Sequence, residues 1–411
     1  MIKHKQIENV SDYIANKIQE IDTMILEKIG NTIKYMSTLK PNQAYKLAQI
    51  LKYGGTYEEI AQELAKISGK NIKEIYNIFD IVAEDNKYFA KEFYRYRGLD
   101  FIPYKYDIPL QKYVRSIAMA TANKYINIAN TTGIGFLFSD LKGEMYFKNI
   151  QQGYYEIVDR GILAISQGKA TYQEEMRRII NDLGKNGVVL YESGKTRRLD
   201  SALRTNILDG VRRLNQETNR MFGQEYGADG IEISVHSNPA PDHEDIQGRQ
   251  FSIEEYDKLQ AGEIAKDVKG IMYDGSDKRQ IGQYNCYHDT FNIILGVSKP
   301  IYTDKQLKEI AQNNQEGFEY EGKHYTNYEG TQLQRKLETE IRRQKDKQVL
   351  ARSSGNDFID IAERSQKKIN MLTNKYNELS KVSGLLPKKQ RMSVSNYRRI
   401  KVWKLLLIKI V

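Results

Sequence analysis

The sequence predicts a mainly α protein in which a small α+β module sits between a helical N-terminal region and long basic C-terminal helices. Three observations carry that expectation. Apolar residues recur at helical spacing along most of the chain, period-two alternation is confined to short runs, and Lys and Arg accumulate towards the C-terminal end. A chain of 411 residues is too long for one ordinary domain. Changes of texture place the expected units at 1–184, 185–312 and 313–411.

In the first unit, "VSDYIANKIQEIDTMILEKIGNTIKYM" sets Ile14, Ile18, Ile21, Ile25 and Ile29 at spacings of three and four, the stripe of an amphipathic helix. Helical patterns recur over 71–96, 109–130 and 149–168, the last ending in Gly168, a suitable helix terminator. Next, "TYQEEMRRIINDLGKNG" offers Thr171 as an N-cap with Glu174 three residues on, the capping-box spacing. The second unit opens with "GVVLYESGKTRRLD", a β-prone run with a glycine turn, and continues into an Arg-rich amphipathic helix over 201–227. "IEISVH" alternates apolar and polar residues and predicts a strand, and "NPAP" after it forces an extended loop. From Thr326 to about Ser383 the pattern is one long polar helical run, broken near "SSGND". Its apolar seam, Leu333, Leu337, Ile341, Ile359, Ile361, Ile369 and Leu372, is sparse. Such a seam needs a partner, in this chain or another.

Composition narrows the classes. The chain is 40% hydrophobic and 28% charged, which suits a folded, soluble, helix-rich protein. A single cysteine excludes an internal disulfide framework. No signal-peptide core is visible at the N-terminus, and the most apolar stretch, "VWKLLLIKIV", is short and interrupted by lysines, so no membrane span is expected. Tyrosine is frequent, 29 against 12 Phe and one Trp. Either an AT-rich genome or a need for half-buried interface surfaces accounts for that excess. The net charge of +10 divides unevenly: residues 331–411 carry 20 Lys and Arg against 7 Asp and Glu. Such a segment is either a solvated helical face or a surface for a polyanion.

Most of the scarce chemistry lies in the middle unit. His236, His243, Cys286 and His288 bring together three of the five histidines and the lone cysteine, within "VHSNPAPDH" and "IGQYNCYHDTF". A mixed His/Cys set suits tetrahedral zinc, which would staple the loops of a small module. The spacing is not that of a standard zinc finger. The other reading is a set of hydrogen-bonded buried side chains around a small apolar thiol. A Cys–His nucleophile lacks a visible orienting acid or oxyanion hole. Asp242, Glu244 and Asp245 raise the further option of a magnesium-dependent nuclease. Neither a P-loop nor a dinucleotide fingerprint occurs.

The order of these motifs resembles the phage minor capsid protein 2 family, the minor head proteins of tailed bacteriophages. The residues that carry the likeness are Ser193–Gly194, Arg197 to Asp200, His236 at a strand end, the proline loop, His243 to Arg249, Asn285 to His288, and Gly296 to Thr303. Ile246 departs from the pattern where an aromatic is common, and Asn292 where a proline is expected. The resemblance implies a non-enzymatic virion protein, assembled in the host bacterial cytoplasm, present in few copies and associated with the portal. It further implies portal and capsid proteins as partners and a part in head morphogenesis or DNA packaging and delivery. Packaged double-stranded DNA would be met through the basic tail. Recurrence of the His/His/Cys/His set in the family pattern favours a structural zinc ion. The rival is a metal-dependent nuclease or toxin-like effector carried in the virion.

Overall fold

The computed structural model describes residues 4–39, 56–130, 133–140, 142–192, 195–261, 281–282, 286 and 288–400. The expected architecture is the one observed, mainly α with small sheets. Helices α1 (His4–Met36), α2 (Thr56–Tyr96) and α3 (Ile108–Asn130) come first. A hairpin follows, β1 (Ile134–Ser139) and β2 (Met145–Asn149), then α4 (Ile150–Gln167) and α5 (Lys169–Asn186). Strands β3 (Val189–Glu192) and β4 (Lys195–Arg198) join β1 and β2 in one antiparallel sheet of order β2-β1-β3-β4.

Helix α6 (Leu199–Glu225) is the spine. Its apolar side lies along α1, α2 and α3, and its C-terminal part reaches the second sheet. The large core there includes Ile25, Phe79, Val114, Leu203 and Leu214, all 1% exposed or less. Ile21, Ile25 and Ile29 of the predicted stripe are buried in it, as helical periodicity requires. The second sheet is antiparallel, order β6-β5-β7, from β5 (Gly230–Ile233), β6 (Gln250–Ser252) and β7 (Thr290–Ile293). With α7 (Ile253–Ala261) it encloses its own small core of Ile231, Ile233, Ile246, Phe251, Tyr256, Leu259, Ile281 and Cys286.

Helix α8 (Asp304–Glu316) opens with a capping box at Thr303 and Gln306, and a hairpin of β8 (Phe318–Tyr320) and β9 (Lys323–Tyr325) follows. Helices α9 (Asn327–Ser353) and α10 (Ile359–Ser383) are separated by a short break at the predicted place. Their sparse seam finds its partner within the chain. Ile341, Ile369 and Leu372 meet Tyr376 and Met392, while Leu350, Ala351, Ile361 and Ala362 enter the large core. Ile359 stays 39% exposed.

Two local expectations are corrected. The 134–149 segment, expected within a helical region, forms the β1–β2 hairpin, because Ile134, Phe136 and Phe138 alternate inward and an Asp140 turn reverses the chain. Thr171 does not cap α5, which begins at Lys169 after Gly168. Gly168 takes φ 117 there, a conformation that an L side chain rarely adopts, and lets α4 end and α5 start at one residue. "VWKLLLIKIV" lies outside the described residues.

Candidate metal centre

Strand β5 leaves the small core at Ile233, and the chain after it is clamped to the segment before β7. Ser234 N–H donates to the Asp289 carbonyl at 2.8 Å, and Asp289 N–H donates to Ser234 Oγ at 2.7 Å. Pro241 then starts a 3-10 turn, Pro241–His243, where its fixed φ suits a first helical position. The chain returns to β5 at Gly248, whose N–H donates to the Ile233 carbonyl at 2.8 Å. Gly248 has φ +69, and a Cβ there would run into Leu307 and Val235. Two loops are thereby held face to face.

Across that gap stand His243, Cys286 and His288, 1%, 3% and 3% exposed, with one donor atom from each within 4.8 Å of the others. Cys286 Sγ is 3.5 Å from His243 Nδ1 and 3.4 Å from His288 Nδ1. The far nitrogens face oxygens: His288 Nε2 is 3.1 Å from Gln247 Oε1, and His243 Nε2 is 3.8 Å from Asp242 Oδ2. Gln247, itself buried, also accepts the His236 backbone N–H through the same oxygen at 2.9 Å. Burial pushes the Cys286 thiol up, but the hydrogen bonds and charge of His243 and His288 outweigh it and bring the thiol down to about 5. Behind the site, burial raises the Asp289 carboxyl to about 6 against the opposing Arg212 guanidinium, and Asn215 donates to it at 3.2 Å.

Of the four residues singled out in the sequence, the structure brings three together. His236 stands beside them, its ring centroid 6.2 Å from that of His288. Its Nδ1 accepts the Asn238 N–H at 3.0 Å, which leaves only Nε2 for any ligand. Asp242, Glu244 and Asp245 do not gather as a cation site: among the described residues the sole His/Cys/Asp/Glu group of metal-holding geometry is His243, Cys286 and His288. Glu244 instead takes the side-chain amides of Asn314 and Gln315.

The profile described as "Phage minor capsid protein 2" matches residues 2–379. The chain belongs to the phage minor capsid protein 2 family. That match reaches far beyond the motifs at 190–305 and takes in the N-terminal helices, all of α9 and most of α10. No curated protein and no solved structure is significantly similar to the chain. Membership makes this chain a phage structural protein, a virion component of the minor capsid class with capsid-related partners. No helix among the described residues is long and apolar enough to cross a membrane.

In this minor capsid protein the thiol centre fits zinc on two independent counts. Sulfur and nitrogen ligands of a tetrahedral zinc ion lie about 3.5 Å apart, given their usual bond lengths, and the two Sγ–Nδ1 separations are 3.5 and 3.4 Å. The lowered thiol agrees, since zinc binds the thiolate. If His288 is neutral and donates Nε2–H to Gln247 Oε1, its Nδ1 lone pair faces the sulfur, as ligation requires. A cation between them satisfies all three atoms. Gln247, 3.1 Å from His288 Nε2, would then orient that ligand ring, as the outer partner of a ligating histidine does. Sequence reasoning passed over Gln247 and the Ser234–Asp289 clamp. Gln247 had a visible signal, its place in the "HEDIQGR" motif, whereas the clamp is set by tertiary pairing alone.

Proposed function

We propose that this chain is a portal-associated minor head protein that assists head assembly or DNA packaging and delivery, with its α+β module locked by a structural zinc ion on His243, Cys286 and His288. The observation that carries the proposal is the arrangement of the two imidazoles, each turning Nδ1 to the single sulfur and Nε2 to an oxygen. The zinc would supply a cross-link and no reaction. It would tie the 3-10 turn after β5 to the segment entering β7, where the core comprises eight side chains among the described residues. Burial of all three ligands suits a structural ion, whose fourth tetrahedral position three protein ligands leave to a further donor.

The basic C-terminal segment supports a DNA contact only through the cations that the fold leaves outside. Arg342 is drawn inward to Asp200, and Lys345 donates to the Met392 carbonyl. Lys381, Lys389, Arg398 and Arg399 are among those that remain exposed, where packaged double-stranded DNA would meet them. The nuclease or effector reading has no gathered carboxylate site among the described residues to favour it. Quantitative mass spectrometry of purified particles, with zinc measured on the purified chain, tests the proposal. Recovery at low copy with portal protein and bound zinc is the expected result. Absence from particles, or a nuclease activity lost in Asp242→Ala, would overturn it.

A further inference from the structure

We infer that the end of the helical bundle formed by the last turns of α2, the connection 97–107 and the first turns of α3 is a docking face for a partner protein segment that is apolar at its centre and acidic at its rim. Nine of the twenty large hydrophobic residues exposed among the described residues lie between Tyr88 and Tyr113. Tyr96 is 83% exposed, Tyr88 72%, Tyr106 67% and Ile108 52%. Concentration on that scale marks an interaction surface, whereas scattered exposed apolar residues mark nothing.

The face is braced. Lys87, buried, forms an ion pair with Asp107 at 3.1 Å and lies over the Tyr94 and Phe222 rings, tying the connection to α2 and α6. Tyr104 donates to Asp80 at 2.6 Å, and the Gln111 amide donates to the Tyr104 and Lys105 carbonyls. Phe93 stacks on Tyr226 at 5.0 Å, and Tyr113 donates to Glu217 at 2.8 Å. A segment both exposed and fixed has already met the ordering cost that binding imposes on mobile loops. Tyrosines and arginines on a rigid frame are the residue types that dominate protein interfaces.

Charge chooses the occupant. Five exposed residues of this stretch are basic, Lys91, Arg95, Arg97, Lys105 and Lys112, against two acidic ones, Glu92 and Asp100. The first 330 residues as a whole carry a slight negative excess, so this local balance is not a reflection of composition. A nucleic acid would use the cations and the rings but has no use for Leu99, Ile102 and Ile108. An acidic, apolar protein surface uses all of them. This inference rests on the virion reading for the source of the partner, a second phage-encoded structural polypeptide.

The test is photo-crosslinking in phage-producing cells, using the full chain with a benzophenone amino acid in place of Tyr96. The expected product joins one other phage-encoded polypeptide, through a peptide in which Asp or Glu flanks apolar residues. Its yield should fall roughly tenfold in the Arg95→Glu, Lys105→Glu double variant, with the thermal midpoint unchanged. Should that variant melt early, Ile102→Ser gives the same reading without a charge change. Attachment to DNA, to a second copy, to residues 402–411 of the same chain, or to nothing overturns the inference, as does an undiminished yield in the variants. Purified particles separate the two readings. A chain missing from particles whose cross-link persists removes the virion reading alone, and a chain present in particles without the cross-link removes the docking face alone.

Discussion

Cys286 offers one sulfur to two imidazole nitrogens, and this imbalance decides how its site behaves. Cys286→Ser or His288→Ala should abolish zinc retention and lower the melting temperature, as metal analysis and calorimetry would show. His236→Ala should keep stoichiometric zinc, because His236 stands outside the three-atom group with its Nδ1 given to Asn238. Loss of zinc in His236→Ala would make that residue a fourth ligand. A second imbalance lies at Asp22, Arg198, Asp200, Arg342 and Asp346, three carboxylates and two guanidiniums, all nearly buried. Arg198 holds Asp346 at 2.8 Å and Asp200 at 3.2 Å but stands 3.7 Å from Asp22. The extra proton therefore belongs on Asp22, whose carboxyl is raised well above the usual range by burial and by Asp200, against Arg198. Burial would raise Asp200 too, but Arg198 and Arg342 hold it below that range. The signs are opposite. The protonated Asp22 contributes stability that is full below the unfolded carboxyl value and lost as pH rises through its raised value. Asp200 contributes above the unfolded value and loses its contribution as pH falls. Asp22→Asn should flatten the loss of stability that sets in as pH rises above the unfolded carboxyl value. Asp200→Asn should cost about 3–5 kcal/mol by stranding guanidiniums. Denaturant titrations across pH check both.

At the scale of elements, packing of α4 and α5 on β1 turns on Phe136 and Phe138, both fully buried. Phe136→Ala should cost about 3–5 kcal/mol, measured by denaturant unfolding. Gly135→Ala should be comparably severe, since its Cβ would run into the Lys148 carbonyl of β2. Helices were legible because their apolar stripes have a period that a short window reveals, as Ile21, Ile25 and Ile29 show. The β1–β2 hairpin carried a period-two signal at Ile134, Phe136 and Phe138, but it is short and lies between strong helical patterns. The start of α5 was misplaced because Thr171 and Glu174 mimic a cap, while the true boundary depends on the backbone of Gly168. For the candidate site, residue types were legible and partners were not. Scarcity drew attention to Cys286 and its histidines, but which nitrogen faces which atom follows from the Ser234–Asp289 clamp and the turn closed by Gly248, both tertiary.

Across the whole molecule, the basic C-terminal segment is part of the frame. Helix α9 lies against α1 and α5, and its Asp346 and Arg342 enter the buried charge group with Asp22 of α1. Deleting 331–411 should therefore unfold the helical bundle, seen as lost helical circular dichroism and aggregation, and would not report on DNA binding. Charge removal at Lys381, Lys389, Arg398 and Arg399 is the cleaner probe. It should reduce the salt-sensitive DNA retention of the intact chain while leaving its melting temperature within a few degrees. On the reading proposed above, a zinc ion on His243, Cys286 and His288 locks the module of this minor capsid protein. Native mass spectrometry of the full chain, purified without added metal, tests it most directly. One zinc per chain is the expected result, lost together with thermal stability on chelation and absent from Cys286→Ser. A metal-free wild-type chain whose melting temperature ignores both chelator and added zinc would contradict it.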